Sequence, residues 1–258
     1  MTGIIYFTVI VLANAVGAIS GMGGGVIIKP MLDFIGAHSV SAISFYSTVA
    51  VFTMSVVSTV RQLRTGMKVV WHIVGWISVG AVFGGILGNI SFERLMYLLS
   101  DDRAVQLIQI ALTVATLIFA FLYTRYPFGN YHLMHPGWYL ICGLVLGFLA
   151  SLLGIGGGPI NVALMMVMFS LPIKEATIYS ICTIFFSQLA KLITIAVTTG
   201  FARYDMQILW YVIPAAVLGG LVGAKASRLL SVKKVVFVFQ GVILLVLAIN
   251  LYNGYKLF

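Results

Sequence analysis

Charge is scarce in this sequence: 15 Lys and Arg and 6 Asp and Glu make up 8% of 258 residues, against 61% hydrophobic side chains. That balance excludes a soluble globular domain and requires lipid as the solvent. Cysteine is nearly absent. Cys142 and Cys182 each sit inside an apolar run, which excludes a disulfide framework and leaves two small core residues. Of four histidines, His132 and His135 are spaced by three, but they have no Cys or acid neighbour, so no metal site is expected. A metal or cation permease would want acids or histidines clustered in the apolar segments, and none cluster there. Nothing at lipid depth offers a nucleophile, base or metal constellation, so an enzyme is not expected, nor is any cofactor. No ATP-binding motif occurs, and the basic residues form no stripe for nucleic acid.

What the chain has instead is a series of long apolar runs with short links. Spanning about 30 Å of hydrocarbon takes roughly 20 apolar residues. The first residues, MTGIIYFTVIVLANAVG, carry no basic n-region and no small-residue cleavage site, so they read as an uncleaved membrane segment. The net charge of +9 reads chiefly as a topology signal, and secondarily as an attraction for anions. The expected location is the cell inner membrane, with many crossings.

The sequence repeats itself. Gly21-Met22-Gly23-Gly24-Gly25 matches Gly154-Ile155-Gly156-Gly157-Gly158 at an offset of 133. Ala42 matches Ala176, Thr65-Gly66 matches Thr199-Gly200, and Gly84-Gly85-Ile86-Leu87-Gly88 matches Gly219-Gly220-Leu221-Val222-Gly223, with the offset drifting only to 135. The expected division is a first repeat over 1–125, a linker over 126–136 and a second repeat over 137–258. Each half opens with an apolar pair broken by the glycines: Ile4 to Ser20 and Val26 to Ile35, then Trp138 to Leu153 and Ile160 to Leu171. Each arm reads as short for a full crossing. Three longer segments follow in each half: Ala42 to Leu63, His72 to Ile90 and Ala104 to Tyr123, then Ala176 to Val197, Met206 to Ala226 and Val235 to Leu251.

Loop charges discriminate between threadings. If each broken pair crosses the membrane, basic loops fall on both sides alike. If each pair is a re-entrant hairpin, Arg61, Arg64 and Lys68 share a side with Arg125, Lys225, Arg228, Lys233 and Lys234. The opposite side then receives the Glu93 to Arg103 loop and the Arg203/Asp205 loop. The expected fold is therefore an all-α polytopic membrane protein of two inverted homologous halves. Each half is a Gly-broken re-entrant hairpin plus three transmembrane helices, and both termini lie outside.

Irregular backbone at membrane depth is tolerated only where protein or a water-filled cavity satisfies it, so matching breaks in both halves mark a candidate site. The first-turn N–H groups of the helix after each break carry partial positive charge, and glycine lets an anion reach them. Gly23, Gly24, Gly25, Gly156, Gly157 and Gly158 are the candidates. The alternative is close helix packing, and to that Gly143/Gly147, Gly84/Gly88 and Gly219/Gly223 are assigned.

With GMGGGVIIKPML and GIGGGPINVALMM repeated across two four-segment halves, the chain resembles the TauE/SafE family of sulfite and organosulfonate exporters, also called the toluene sulfonate uptake permease family. The resemblance covers nearly the whole chain. It implies transport of a small anion such as sulfite, thiosulfate, a sulfonate or sulfoacetate. One departure stands out: Ala163 occupies the position matching Pro30, and Pro159 directly follows the second glycines, so the half-sites need not be equivalent.

A basic side chain deep in a membrane costs about 2.5 to 3.5 kcal/mol. Lys29, one turn after the first cluster, reads as a counter-charge for an anion or as a residue snorkelling to the interface. Lys191 lies deeper, with Gln188 and Thr194 on its face, and reads as a counter-charge. Asn161 sits in the first turn after the second cluster, where its amide reads as a donor to an oxyanion or as a capping or interhelical hydrogen bond. Ser44, Ser47, Thr48, Ser180, Thr183 and Ser187 recur on matching segments as hydroxyls for an oxyanion, although each is able to bond its own preceding carbonyl instead. Of these, Ser47, Thr48, Ser180 and Thr183 are retained as site candidates. Asp33 and Glu175, the only acids near the two hairpins, read as carriers of a coupling proton or, preferred because both lie close to the expected interfaces, as solvated caps. Trp71, Trp76, Trp138 and Trp210 read as interface anchors.

The function expected is a secondary transporter of a small, sulfur-containing anion held between the two hairpins near the midplane. The alternatives are an anion channel and a metal or cation permease, then a membrane assembly subunit or membrane enzyme. The partners expected are the anion and the bilayer; a homodimer is compatible with the sequence.

Overall fold

A computed structural model describes residues 2–64, 70–99, 101–126, 129 and 131–257, with residues 62–64 by backbone only. The matched pair Thr65-Gly66 and the basic Lys68 lie outside the described residues. The chain order is α1 (Thr2–Ser20), α2 (Gly25–Ile35), α3 (Val40–Arg64), α4 (Trp71–Leu99), α5 (Asp102–Arg125), α6 (Pro136–Leu152), α7 (Pro159–Phe169) and α8 (Ile173–Thr198), then a single 3-10 turn Met206–Ile208, α9 (Leu209–Leu229) and α10 (Val232–Leu257).

The described residues are helical and strand-free, as the apolar runs dictate. By length and composition seven helices are able to cross a membrane: α1, α3, α4, α5, α8, α9 with its 3-10 turn, and α10. The short-arm expectation therefore fails for the first arm of the first pair, since α1 has 19 residues. It holds for α2 and α7, of 11 residues each, and for α6, of 17. The expected loop from Glu93 is also corrected. Helix α4 runs on to Leu99 and carries Glu93 and Arg94 in its last turns, because Ile90-Ser91-Phe92 continue the apolar face and neither Gly nor Pro interrupts it.

Both broken pairs fold back on themselves. In the first, the Tyr6 hydroxyl near the start of α1 lies 2.9 Å from His38 Nδ1, just beyond the end of α2. In the second, the Tyr139 ring near the start of α6 lies 4.6 Å from the Phe169 ring at the end of α7. Tyr6 and Tyr139 are themselves 133 residues apart. At the turns, Gly21 and Gly154 adopt left-handed backbone, φ 74° and 66°, which a side chain would resist.

The hairpins are clamped by the opposite half. Helix α1 packs along α9, and α6 packs along α4. A methyl on Gly219 would strike the Val11 carbonyl, and one on Gly84 would strike the matching Leu144 carbonyl. Gly143, Gly147, Gly88 and Gly223 make equally close backbone approaches, as expected for packing glycines. Between these clamps α3 and α8 run in opposite directions: Phe45 near the start of α3 stacks at 4.2 Å on Tyr204 just past α8, while Phe52 stacks on Phe185 at 5.5 Å. Two faces result. The terminal face holds the start of α1, the end of α10 and residues 36–39 and 199–205, and the linker face holds the end of α5, the start of α6 and the α7–α8 and α9–α10 connections.

Candidate functional site

The two glycine turns meet in the interior. A methyl on Gly25 would fall on the Ile155 carbonyl, and one on Gly23 would lie 3.6 Å from the Gly156 carbonyl. The surroundings recur at the repeat offset. Gly21 abuts Thr177 and Gly154 abuts Ser44, while Gly23 faces Ile184 and Gly156 faces Val51. Val51 and Ile184 are thus a matched pair of plugs beside the tips. Neither of the two described cavities is lined by a cluster glycine.

Breaking the helices exposes donors, as their sequence implies. Gly24 and Gly158 cap α2 and α7 without any side-chain bond. The N–H groups of Gly25, Val26 and Ile160 have no acceptor among the described residues. Pro159 at the first position of α7 has no N–H, so the second turn offers one donor fewer than the first.

The expected polar residues divide sharply. Thr48 and Thr183 bond back to the Ser44 and Tyr179 carbonyls at 2.8 Å, and Ser180 is bound to the Gly21 carbonyl at 2.6 Å, where it ties α8 to the first turn. Gln188 donates to Ser187, and Thr194 bonds the Ala190 carbonyl. The Ser47 hydroxyl, the Gln188 Oε1 and both polar atoms of Asn161 are buried without a partner. An amide left so in a dry interior costs about 1–3 kcal/mol for each unmet group. Asn161→Leu is accordingly expected to leave the melting temperature unchanged or raised, and to impair transport. Thermal melts alongside vesicle uptake check it, and unimpaired uptake removes Asn161 from the site.

Lys191 is the outstanding charge. It is 1% exposed, and its ammonium donates at 2.9 Å to the Ser44 hydroxyl and at 2.9 Å to the Ser151 carbonyl, with the Phe92 ring 5.5 Å away. No carboxylate pairs with it among the described residues. A cation so placed lacks the countercharge that normally offsets its desolvation. It stands beside the second turn, because Gly154 contacts both Ser44 and the Cε of Lys29.

Lys29 does not snorkel. It is 2% exposed and bonds Asp33 at 2.8 Å, one helical turn along α2. The solvated-cap expectation for Asp33 is overturned, since α1, α3 and α10 cover this stretch of α2 and leave the Asp33 side chain 4% exposed. Glu175 is exposed as expected. Trp71, Trp76, Trp138 and Trp210 are all exposed. His135 caps α6 by accepting from the Gly137 N–H.

Sequence reasoning missed Ser151, Val51, Ile184 and Asn14, whose amide packs against Gly24. The signal for two of them was available: Val51 and Ile184 lie 133 residues apart, the offset of the glycine clusters. A cavity of about 290 Å³ between α4 and α8 is lined by Asn89, Glu93, Thr194 and Thr198. It lies one turn of α8 from Lys191, toward the terminal face, where Arg203 closes an ion pair onto Glu93.

By length and composition, seven apolar helices mark a polytopic α-helical membrane protein. Residues 6–251 match the family model described as sulfite exporter TauE/SafE, and the chain belongs to that family of membrane transporters. It is 23% identical to the probable membrane transporter protein YunE of Bacillus subtilis (strain 168) over 273 residues, covering 98% of this chain and 99% of that protein. No solved structure matches the chain.

Proposed function

We propose that the protein is a secondary carrier of a small sulfur-containing oxyanion or organosulfonate, bound where the two hairpin tips meet Lys191. The observation that carries this reading is the Lys191 ammonium, buried at 1% exposure with only neutral oxygens as partners. A buried, unpaired cation beside uncovered backbone donors suits a ligand that brings negative charge. Gly23, Gly24 and Gly25 with Gly156, Gly157 and Gly158 form the two turns, and Lys29, Asn161, Ser47 and Gln188 stand as further contacts. Thr48, Thr183 and Ser180 serve to hold the shell in place through the carbonyls they bond.

The halves, 1–125 and 137–258, act as inverted repeats about that site. The opposed courses of α3 and α8 and the exchanged clamps support this threading. The linker face carries Arg61, Arg125, Lys174, Lys225, Arg228, Lys233 and Lys234 against Glu175, while the terminal face mixes Glu93, Asp101, Asp102 and Asp205 with Arg94, Arg103, Arg203 and Lys256. Lys and Arg excess marks the cytoplasmic side, so we place the linker face inside and both termini outside, in the cell inner membrane. With Val51 and Ile184 filling the space beside the tips, loading requires one hairpin to move against the other, which is the alternation expected of a carrier. Uptake into proteoliposomes of sulfite, thiosulfate, sulfate, methanesulfonate and acetate tests the reading. Saturable uptake of the sulfur anions above acetate is expected, and equal, non-saturating flux of all five would reject a carrier.

A further inference from the structure

Resting on that anion-carrier reading, we propose that Asp33 is a proton site coupled to the anion site through Lys29. When an oxyanion enters at the Gly154 turn, Lys29 swings from Asp33 to the anion, and the carboxylate left behind takes up one proton from water.

Three buried charges stand together here. Lys29 and Asp33 are paired at 2.8 Å with side chains 3% and 4% exposed, and Lys191 is 1% exposed. They are linked through the second turn: the Lys29 Cε and the Ser44 hydroxyl both abut Gly154, and Lys191 donates to that hydroxyl. Lys29 is therefore within one side-chain rotation of both Asp33 and the anion position. With the site empty the trio carries one net positive charge. A bound dianion alone would turn this into one net negative charge in a place that hydrates poorly, and a proton on Asp33 brings the loaded site to neutrality. Asp33 already shows half of this behaviour, because its Oδ1 is buried without a partner while Oδ2 holds Lys29. Without Lys29, both oxygens of that carboxylate would lie buried without a partner.

Other titratable groups also face α2. From α1 comes Tyr6, bonded to His38 at 2.9 Å; from α3 comes Tyr46, whose ring meets His38 at 5.3 Å and whose hydroxyl bonds the Asp205 backbone. From α10, Lys256 and Tyr252 lie over Phe34 on the neighbouring position. The Tyr6–His38 pair stands at the open end of the first hairpin, and no hydrogen bond joins it to Asp33 among the described residues.

Thiosulfate, a dianion throughout the range between about pH 5 and 8, is the probe. Calorimetric titration of the full-length protein in two buffers of different ionisation enthalpy is expected to show up to one proton taken up per thiosulfate bound. Apparent affinity should fall about tenfold per pH unit on the alkaline limb. Asp33→Asn should bind thiosulfate with no proton uptake and a flat pH profile. Should that variant fail to fold, Lys29→Gln/Asp33→Asn retains a neutral hydrogen-bonded pair and should likewise show none. Thiosulfate bound by the wild type without proton uptake overturns the coupling and leaves the carrier reading intact, as does uptake that persists in either variant. If the wild type binds neither thiosulfate, sulfate nor methanesulfonate, the anion site itself is rejected and the coupling with it.

Discussion

Lys191→Gln is expected to weaken binding of a sulfur oxyanion by at least about tenfold, while the protein melts no lower than the wild type. The first half follows from charge-assisted hydrogen bonds, each worth about 1.5–3 kcal/mol when a buried partner meets them. The second follows from what Lys191 lacks. Its ammonium is held by one hydroxyl and one carbonyl, so the empty protein bears the desolvation of an uncompensated cation. Glutamine keeps a donor for both oxygens and removes that burden. Affinity measured by titration, set beside a thermal melt of the same sample, checks both halves. A variant that binds as tightly as the wild type removes Lys191 from the site, whereas one that binds weakly only because it melts far lower makes Lys191 a structural residue.

Gly25→Ala and Gly158→Ala should part company, although both add one methyl beside a glycine turn. At Gly25 the methyl would occupy the place of the Ile155 carbonyl, which belongs to the opposite hairpin's backbone and cannot move alone. The two tips must separate, with a loss of about 1–3 kcal/mol or more of stability and of transport with it. At Gly158 the backbone is extended, φ 178°, so alanine is free of strain, and the nearest atom is the terminal Cδ1 of Ile155 at 3.3 Å. That variant should fold within about 1 kcal/mol of the wild type while partly covering the start of α7, so that transport falls without stability. Melting temperature and proteoliposome uptake distinguish the two, and a Gly158→Ala protein that transports at the full rate excludes the second turn from contact with the anion. A side chain at Gly24 meets Asn14 within its own hairpin, so substitution there reports on folding before it reports on anions.

Much of the fold was readable because the sequence states it twice. Two GxGGG clusters at one offset located both hairpin turns, and the G-G-x-x-G segments located both clamps. Helix ends were less legible: α4 outruns its apolar core by nine residues, since hydropathy falls at Glu93 and Arg94 while the helix does not. In the site, burial of Lys191 was legible from its flanking apolar residues. Burial of Asp33 was not, because that depends on α1, α3 and α10 closing over α2, and nothing local to MLDFIG reports those neighbours. The hydroxyls were misleading for a related reason: a serine on a buried helix has its own preceding carbonyl within reach, and only the fold tells which of Thr48, Ser180 and Ser47 finds another use.

The exchanged clamps also govern how the molecule must be made. Helix α1 packs along α9, which follows it only after all of α2 to α8, so α1, which buries Asn14, lacks that neighbour until α9 has been synthesised. A nascent chain halted at the linker would leave the glycine-lined side of α4 bare to lipid. Each clamp therefore closes only when a helix of the other half is there to meet it.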